Sequence, residues 1–129
     1  MTHSRLIWII LALIANPACA ENGGALPTRV GACVVTIVDA VETRLVDGSA
    51  PIPNSGSAVR FSNGGYQVSY ETVPAIEESR KGDRVRMCFI STPLNCPPGD
   101  TRGKVYYTTN LRTKKSWKLP DSEHVCGGA

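Results

Sequence analysis

The sequence predicts an all-β fold, a small open barrel or sandwich of about six short antiparallel strands with one short helix and two disulfides. Three observations carry the prediction: short runs in which apolar and polar residues alternate, Gly and Pro punctuation between them, and an even cysteine count once an expected leader is removed. The chain has 129 residues, 42% hydrophobic and 19% charged, with 12 Gly and 9 Pro. That balance suits one domain with a modest core, and it excludes large multi-domain machinery and wholesale disorder.

The elements follow in chain order. Arg5 precedes an unbroken apolar run from Leu6 to Ala15, then Asn16-Pro17 and the small residues Ala18-Cys19-Ala20. Ten apolar residues make a helix of about 15 Å, half the roughly 30 Å hydrocarbon core of a bilayer. Residues 1–20 therefore read as a secretory signal peptide cleaved after Ala20, with no transmembrane span remaining after cleavage. Lipidation of Cys19 is the competing reading, but Asn16 stands where lipoprotein signals carry Leu. Export predicts a periplasmic or secreted protein.

Residues 21–32 are glycine-rich and contain Pro27, so they read as a flexible arm ahead of a single domain over 33–129. Val35, Ile37, Val41 and Leu45 share one face of a first strand interrupted at Asp39. The segment from Ser49 to Ser55, with Pro51 and Pro53, cannot form a central strand. Val59 and Phe61, the turn Asn63-Gly64-Gly65, and Tyr66, Val68 and Tyr70 predict a β-hairpin. Pro74 at a first helical position, Glu77 and Glu78 early, and Arg80 and Lys81 late predict a helix of about two turns ending at Gly82. Val85, Met87 and Phe89 alternate with Arg84, Arg86 and Cys88 in a half-buried strand. Pro93, Pro97 and Pro98 force a loop, and a second hairpin runs from Val105 to Leu119 with Trp117 as a core anchor.

Removal of Cys19 leaves Cys33, Cys88, Cys96 and Cys126, the number for two disulfides with three possible connectivities. The preferred pairing is Cys88–Cys96 with Cys33–Cys126, whose loops would contribute about 2.6 and about 4.7 kcal/mol in the chain-entropy account. The cysteines lack C-x-x-C spacing, which disfavours zinc, and no metal or other cofactor is expected.

Net charge is +3, falling by one when Arg5 leaves with the leader, and so modest a value disfavours a dedicated nucleic-acid binder. The stretch from Thr101 to Leu119 nevertheless holds Arg102, Lys104, Arg112, Lys114, Lys115 and Lys118 and no acid, interleaved with Tyr106, Tyr107 and Trp117. Arg112, Lys114, Lys115 and Lys118 are the candidate contact residues, for an envelope protein, an anionic glycan or a lipid head group. A solvated strand face is the competing reading of the same lysines.

Gly82-Asp83-Arg84-Val85, Cys96-Pro97-Pro98-Gly99-Asp100, Asn110-Leu111-Arg112-Thr113, Ser116-Trp117 and the closing Pro120-Asp121-Ser122, His124 and Cys126-Gly127-Gly128-Ala129 carry a resemblance. Over roughly residues 33–129 the chain resembles small uncharacterised exported proteins of Gram-negative bacteria, which implies export and a compact domain and brings no activity with it. It is also similar in class, though not in inhibitory loop pattern, to small periplasmic lysozyme inhibitors. The expected function is a binding or inhibitor-like module without catalysis. The alternative is a small secreted hydrolase of ribonuclease type, with His124 as acid, Glu71 or Glu77 as base, and Arg84 or Arg86 on the phosphate.

Overall fold

The computed structural model describes residues 24–128; the expected leader and Cys19 lie outside the described residues. The chain forms β1 (Cys33–Thr43), β2 (Val46–Asp47), β3 (Ala50–Pro51), β4 (Ser57–Phe61), β5 (Tyr66–Ser69), α1 (Pro74–Glu77), β6 (Arg84–Ser91), β7 (Val105–Asn110) and β8 (Ser116–Pro120). Six strands make one antiparallel sheet in the order β5-β4-β1-β6-β7-β8, while β2 and β3 pair separately in a small hairpin. The sheet curls into a half-barrel, which decides between the predicted barrel and sandwich in favour of the barrel-like form.

Strand β1 is long enough to pair on both sides because it changes partner midway. Its first half pairs with β6 from Cys33↔Cys88 to Ile37↔Arg84, and its second half pairs with β4 from Val38↔Phe61 to Thr43↔Ser57. A bulge at Asp39, between Val38 and Ala40, shifts the register. The extra residue reverses which side chains face inward, as a one-residue slip in a period-two element must. Thr36 and Val38 point into the core before the bulge, and Val41 packs against it afterwards. Val35 and Ile37 consequently do not share a face with Val41, contrary to the single face expected, and Leu45 lies exposed beyond the strand.

The concave side is filled by Val38, Val59, Phe61, Val85, Met87, Phe89, Tyr106 and Trp117, with Ile76 of α1 closing over them. Trp117 is a core residue as expected. Helix α1 is one turn rather than two, with Pro74 at its start and no side-chain cap. So short a helix holds by packing Ile76, which has no exposed surface.

Strand β5 is buried on both faces at its centre, at Gln67 and Val68. Its core-facing residue is Gln67, paired directly with Val59 and wholly buried, whereas Tyr66 and Tyr70 stay outside with the guanidinium groups of Arg60 and Arg44 lying 4.7 and 4.3 Å from their ring centres. The Gln67 amide spans the curl: Nε2 donates to the carbonyls of Tyr106 (2.9 Å) and Leu119 (3.1 Å). Its Oε1 accepts from Thr108 Oγ1 (2.7 Å) and Trp117 Nε1 (2.8 Å). Both donors and both acceptor positions of the amide are used, which removes the desolvation cost of burying it.

The disulfides are Cys33–Cys88 and Cys96–Cys126, so the preferred pairing is corrected. Loop-closure arithmetic cannot anticipate this result, because strand pairing sets Cys33 directly opposite Cys88 on the outer side of β1 and β6, with Cα atoms 4.0 Å apart. The bridges span 55 and 30 residues. In the chain-entropy account they contribute about 4.2 and about 3.7 kcal/mol. Order begins before Cys33: Gly24 N donates to Val35 O, Asn63 Nδ2 donates to Gly24 O, Gly31 N donates to Phe89 O, and Leu26 packs on the core. Gly56 precedes β4 with φ +113°, and a Cβ there would come within 2.0 Å of Ser69 O.

Two stability predictions follow from the buried polar groups. Gln67→Leu strands the Trp117 indole N–H and the Thr108 hydroxyl and takes a second hydrogen bond from two strand carbonyls, and it lowers unfolding free energy by about 3 kcal/mol in denaturant titration of the oxidised protein. The Tyr106 hydroxyl is buried and has no hydrogen-bond partner among the described residues, although its ring stacks on Phe89 with centres 5.1 Å apart. Tyr106→Phe removes that orphan and keeps the ring, so its melting temperature equals or exceeds the parent's.

Candidate functional site

Among the described residues the concave side is packed, and the outer face of β6, β7 and β8 presents a broad surface. Alternation places Arg84, Arg86 and Cys88 there on β6, Tyr107 and Thr109 on β7, and Ser116 and Lys118 on β8, opposite in each case to buried neighbours. Register arranges them in rows. One row runs Cys33, Cys88, Tyr107, Lys118 and the next runs Val35, Arg86, Thr109, Ser116. The Thr109 and Ser116 hydroxyls hydrogen-bond each other across the strands at 2.7 Å.

At one end of this face the segment before β6 meets the β7–β8 turn. Asn110 builds the turn: its Oδ1 accepts from the backbone N–H of Arg112 (2.9 Å) and Thr113 (3.2 Å), and Lys114 takes φ +61°. Its Nδ2 donates to Ser79 Oγ and Asp83 Oδ2, both at 2.9 Å. Asp83 also receives Arg112 Nε at 2.8 Å and Nη2 at 2.9 Å, and the Arg80 N–H at 2.9 Å. Hydrogen bonds from the Arg112 guanidinium, aided by those from Asn110 and Arg80 and against the opposing effect of burial, hold the Asp83 carboxyl well below the usual carboxylate range.

The predicted contact residues therefore divide. Arg112 is committed to Asp83 and to the Glu78 carbonyl, and Lys115 pairs with the Glu78 carboxylate. Lys114 and Lys118 are exposed, and among the described residues neither has a carboxylate partner. Arg84 and Arg86, which were read from sequence only as possible phosphate ligands of a hydrolase, join them on the same end; Leu111 N donates to Arg84 O at 2.9 Å. Segments 77–86 and 110–118 together carry eight cations against three acids, a local excess of +5 in a chain whose total is +3. The rest of the molecule is net acidic, so the protein has a charge axis that its total conceals.

The opposite end is occupied by the tail. Cys126 is bridged to Cys96, Asp121 Oδ1 accepts from Gly103 N at 2.8 Å, and Glu123 pairs with Arg44 at 3.0 Å. The Asp100 carboxyl is held low chiefly by hydrogen bonds from the Arg102 side chain and then from the Gly127 N–H. A surface pocket of about 260 Å³ lies here, lined by Thr92, Pro93, Cys96, Asp100, Thr101 and Lys104.

His124 is exposed in this tail, its own N–H donating to Ser122 Oγ at 3.3 Å. Among the described residues no hydrogen bond or ion pair joins its imidazole to Glu71, Glu77, Arg84 or Arg86. The length of β6 separates Arg84 from the tail end by about 23 Å at roughly 3.3 Å per residue, so the expected acid and phosphate ligand are not brought together. No group of three His, Cys, Asp or Glu side chains gathers as a metal site among the described residues. No helix among them is long and apolar enough to cross a membrane. The two disulfides point to an oxidising environment, extracellular or periplasmic.

Comparison with protein-family models, with curated proteins and with solved structures finds no match to this chain.

The Asp83 knot has a pH signature. Its pKa is lower folded than unfolded, so its contribution is fully present above the ordinary value of 3.8 and is lost as pH falls from there toward the folded value. Asp83→Asn therefore destabilises the protein at neutral pH and flattens the acid limb of the melting temperature against pH, measured from pH 7 to pH 2.

Proposed function

We propose that the protein is an exported binding module without catalytic activity, which takes an anionic partner in the periplasm or outside the cell. Carrying this reading is the convergence of Arg84, Arg86, Lys114 and Lys118, from two strands and the β7–β8 turn, toward one end of one face. Each is exposed and lacks a carboxylate partner among the described residues, so an arriving anion meets charge that has no competing neighbour to displace. Such a patch raises the encounter rate and gives salt-dependent affinity. Export rests on the apolar run from Leu6 to Ala15 and on the oxidised cysteines.

The test is retention of the oxidised protein on immobilised heparin across a salt gradient, with Arg84→Glu/Lys114→Glu alongside and Lys104→Glu, in the pocket at the tail end, as the control. Retention of the parent and the control, with early elution of the double variant, supports the module and locates its face. An unretained parent, or a double variant that elutes with it, overturns the reading.

A further inference from the structure

We propose, resting on that reading, that the outer face is built for an acidic polysaccharide, with a sugar ring on Tyr107 and the flanking carboxylates on Arg86 and Lys118. Tyr107 is 42% exposed although it sits in the middle strand of the three, so its ring lies on the face rather than filling the core. Its cross-strand neighbours are the Cys33–Cys88 bridge on one side and Lys118 on the other. Arg86 stands one row away and one strand over. Strands about 4.8 Å apart and like-facing residues about 6.7 Å apart put Arg86 and Lys118 roughly 12 Å from each other, with Tyr107 between them. One aromatic platform between two long cationic side chains fits a chain of rings that bear carboxylates.

The remaining surface selects among anions. Thr109 and Ser116 place hydroxyls between Arg86 and Lys118, where they match the donors and acceptors of sugar hydroxyls. A membrane surface is favoured by basic residues set beside apolar side chains that enter the acyl region. At this end the exposed side chains are those of Arg84, Arg86, Lys114 and Lys118, while Val35 and Ile37, which face Arg86 and Arg84 across β1, are half-buried and the exposed Ile90 lies at the far end of β6. A flexible acidic peptide supplies carboxylates but gains nothing from an exposed ring beyond van der Waals contact. A pyranose presents a flat array of C–H groups that the electron-rich face of a tyrosine attracts.

Calorimetry with oligogalacturonate, with poly-glutamate at equal carboxylate concentration, and with phosphatidylglycerol vesicles separates these partners. The oxidised parent binds oligogalacturonate about tenfold more tightly than poly-glutamate, a margin that ring contact of ordinary strength supplies. Tyr107→Ala abolishes that preference without changing poly-glutamate binding, and Tyr107→Phe and Tyr107→Trp preserve it. Equal affinity for the two polymers, or a preference that survives Tyr107→Ala, overturns the glycan assignment while salt-sensitive heparin retention still upholds the anion-binding reading. Binding to vesicles without binding to oligogalacturonate overturns it in favour of a lipid surface. Failure to bind any of the three, together with an unretained parent on heparin, overturns both proposals. Because Tyr107 is a surface residue, its variants are compared at a common melting temperature, and the phenylalanine variant controls for loss of the hydroxyl.

Discussion

The fold depends on one buried amide. An antiparallel sheet of six short strands has two edges and a strong twist, and left open it exposes both the edges and one apolar face. Gln67 answers both problems at once by reaching from the first strand of the sheet order to the last two. It takes the carbonyls of Tyr106 and Leu119 and gives its oxygen to Thr108 and Trp117. An apolar residue at this position could fill the space but could not satisfy those four groups. The Trp117 indole N–H and the Thr108 hydroxyl would then be buried without the acceptor they have here, which costs more than a hydrophobic contact returns. The amide therefore specifies the closed curvature as well as stabilising it. Glu123 adds a second crossing at the tail end, with Arg44 on its carboxylate and the Tyr70 hydroxyl donating to its carbonyl at 3.4 Å.

Closure has a functional consequence. Among the described residues the concave side is packed around Tyr106 and Trp117 and covered by Ile76, which turns recognition toward the outer face and the ends. The two ends are treated differently. At the tail end charges are neutralised at close range, Arg102 by Asp100 at 2.9 Å and Arg44 by Glu123 at 3.0 Å, and a disulfide locks the loop to the tail. At the turn end, among the described residues, Asp83 and Glu78 pair with Arg112 and Lys115, and those pairs shape the turn that holds Lys114 out.

Much of the architecture was legible because period-two patterns report strands directly. Both hairpins, the strand through Arg84, the loop around the prolines and the burial of Trp117 all follow from alternation and turn chemistry. The misreadings share a cause, which is register. Gln67 alternates with Tyr66 and Val68, and nothing in that alternation marks it as a core residue; its pairing with Val59 places it there. The interruption at Asp39 was visible, but that it reverses the facing of β1 depends on the change of partner there. Cys33 and Cys88 meet because two strands align, a fact absent from loop lengths. Arg112 read as a free cation because its partner Asp83 lies 29 residues away. Arg84 and Arg86 were legible as outward-facing residues, yet nothing in sequence sets them beside Lys118 and Lys114. Total charge misled for the same reason, since +3 spread over the chain and +5 gathered at one end predict different partners.

Rigidity explains why such a site can be made from so few residues. Binding a polymer through scattered surface charges loses much of its electrostatic gain to the ordering of side chains and loops. Here the row that contains Tyr107 and Lys118 begins with a covalent bridge between β1 and β6, and the next row is fixed by the hydroxyl pair of Thr109 and Ser116. The backbone that carries the cations is thus pinned on its outer side by a disulfide and on its inner side by the Gln67 amide. Only the ends of Arg84, Arg86, Lys114 and Lys118 remain to be ordered when a partner arrives. A chain of this size cannot stabilise a large core, and its two bridges and buried amide spend their constraint where it also serves recognition: on the three strands that present the charged face.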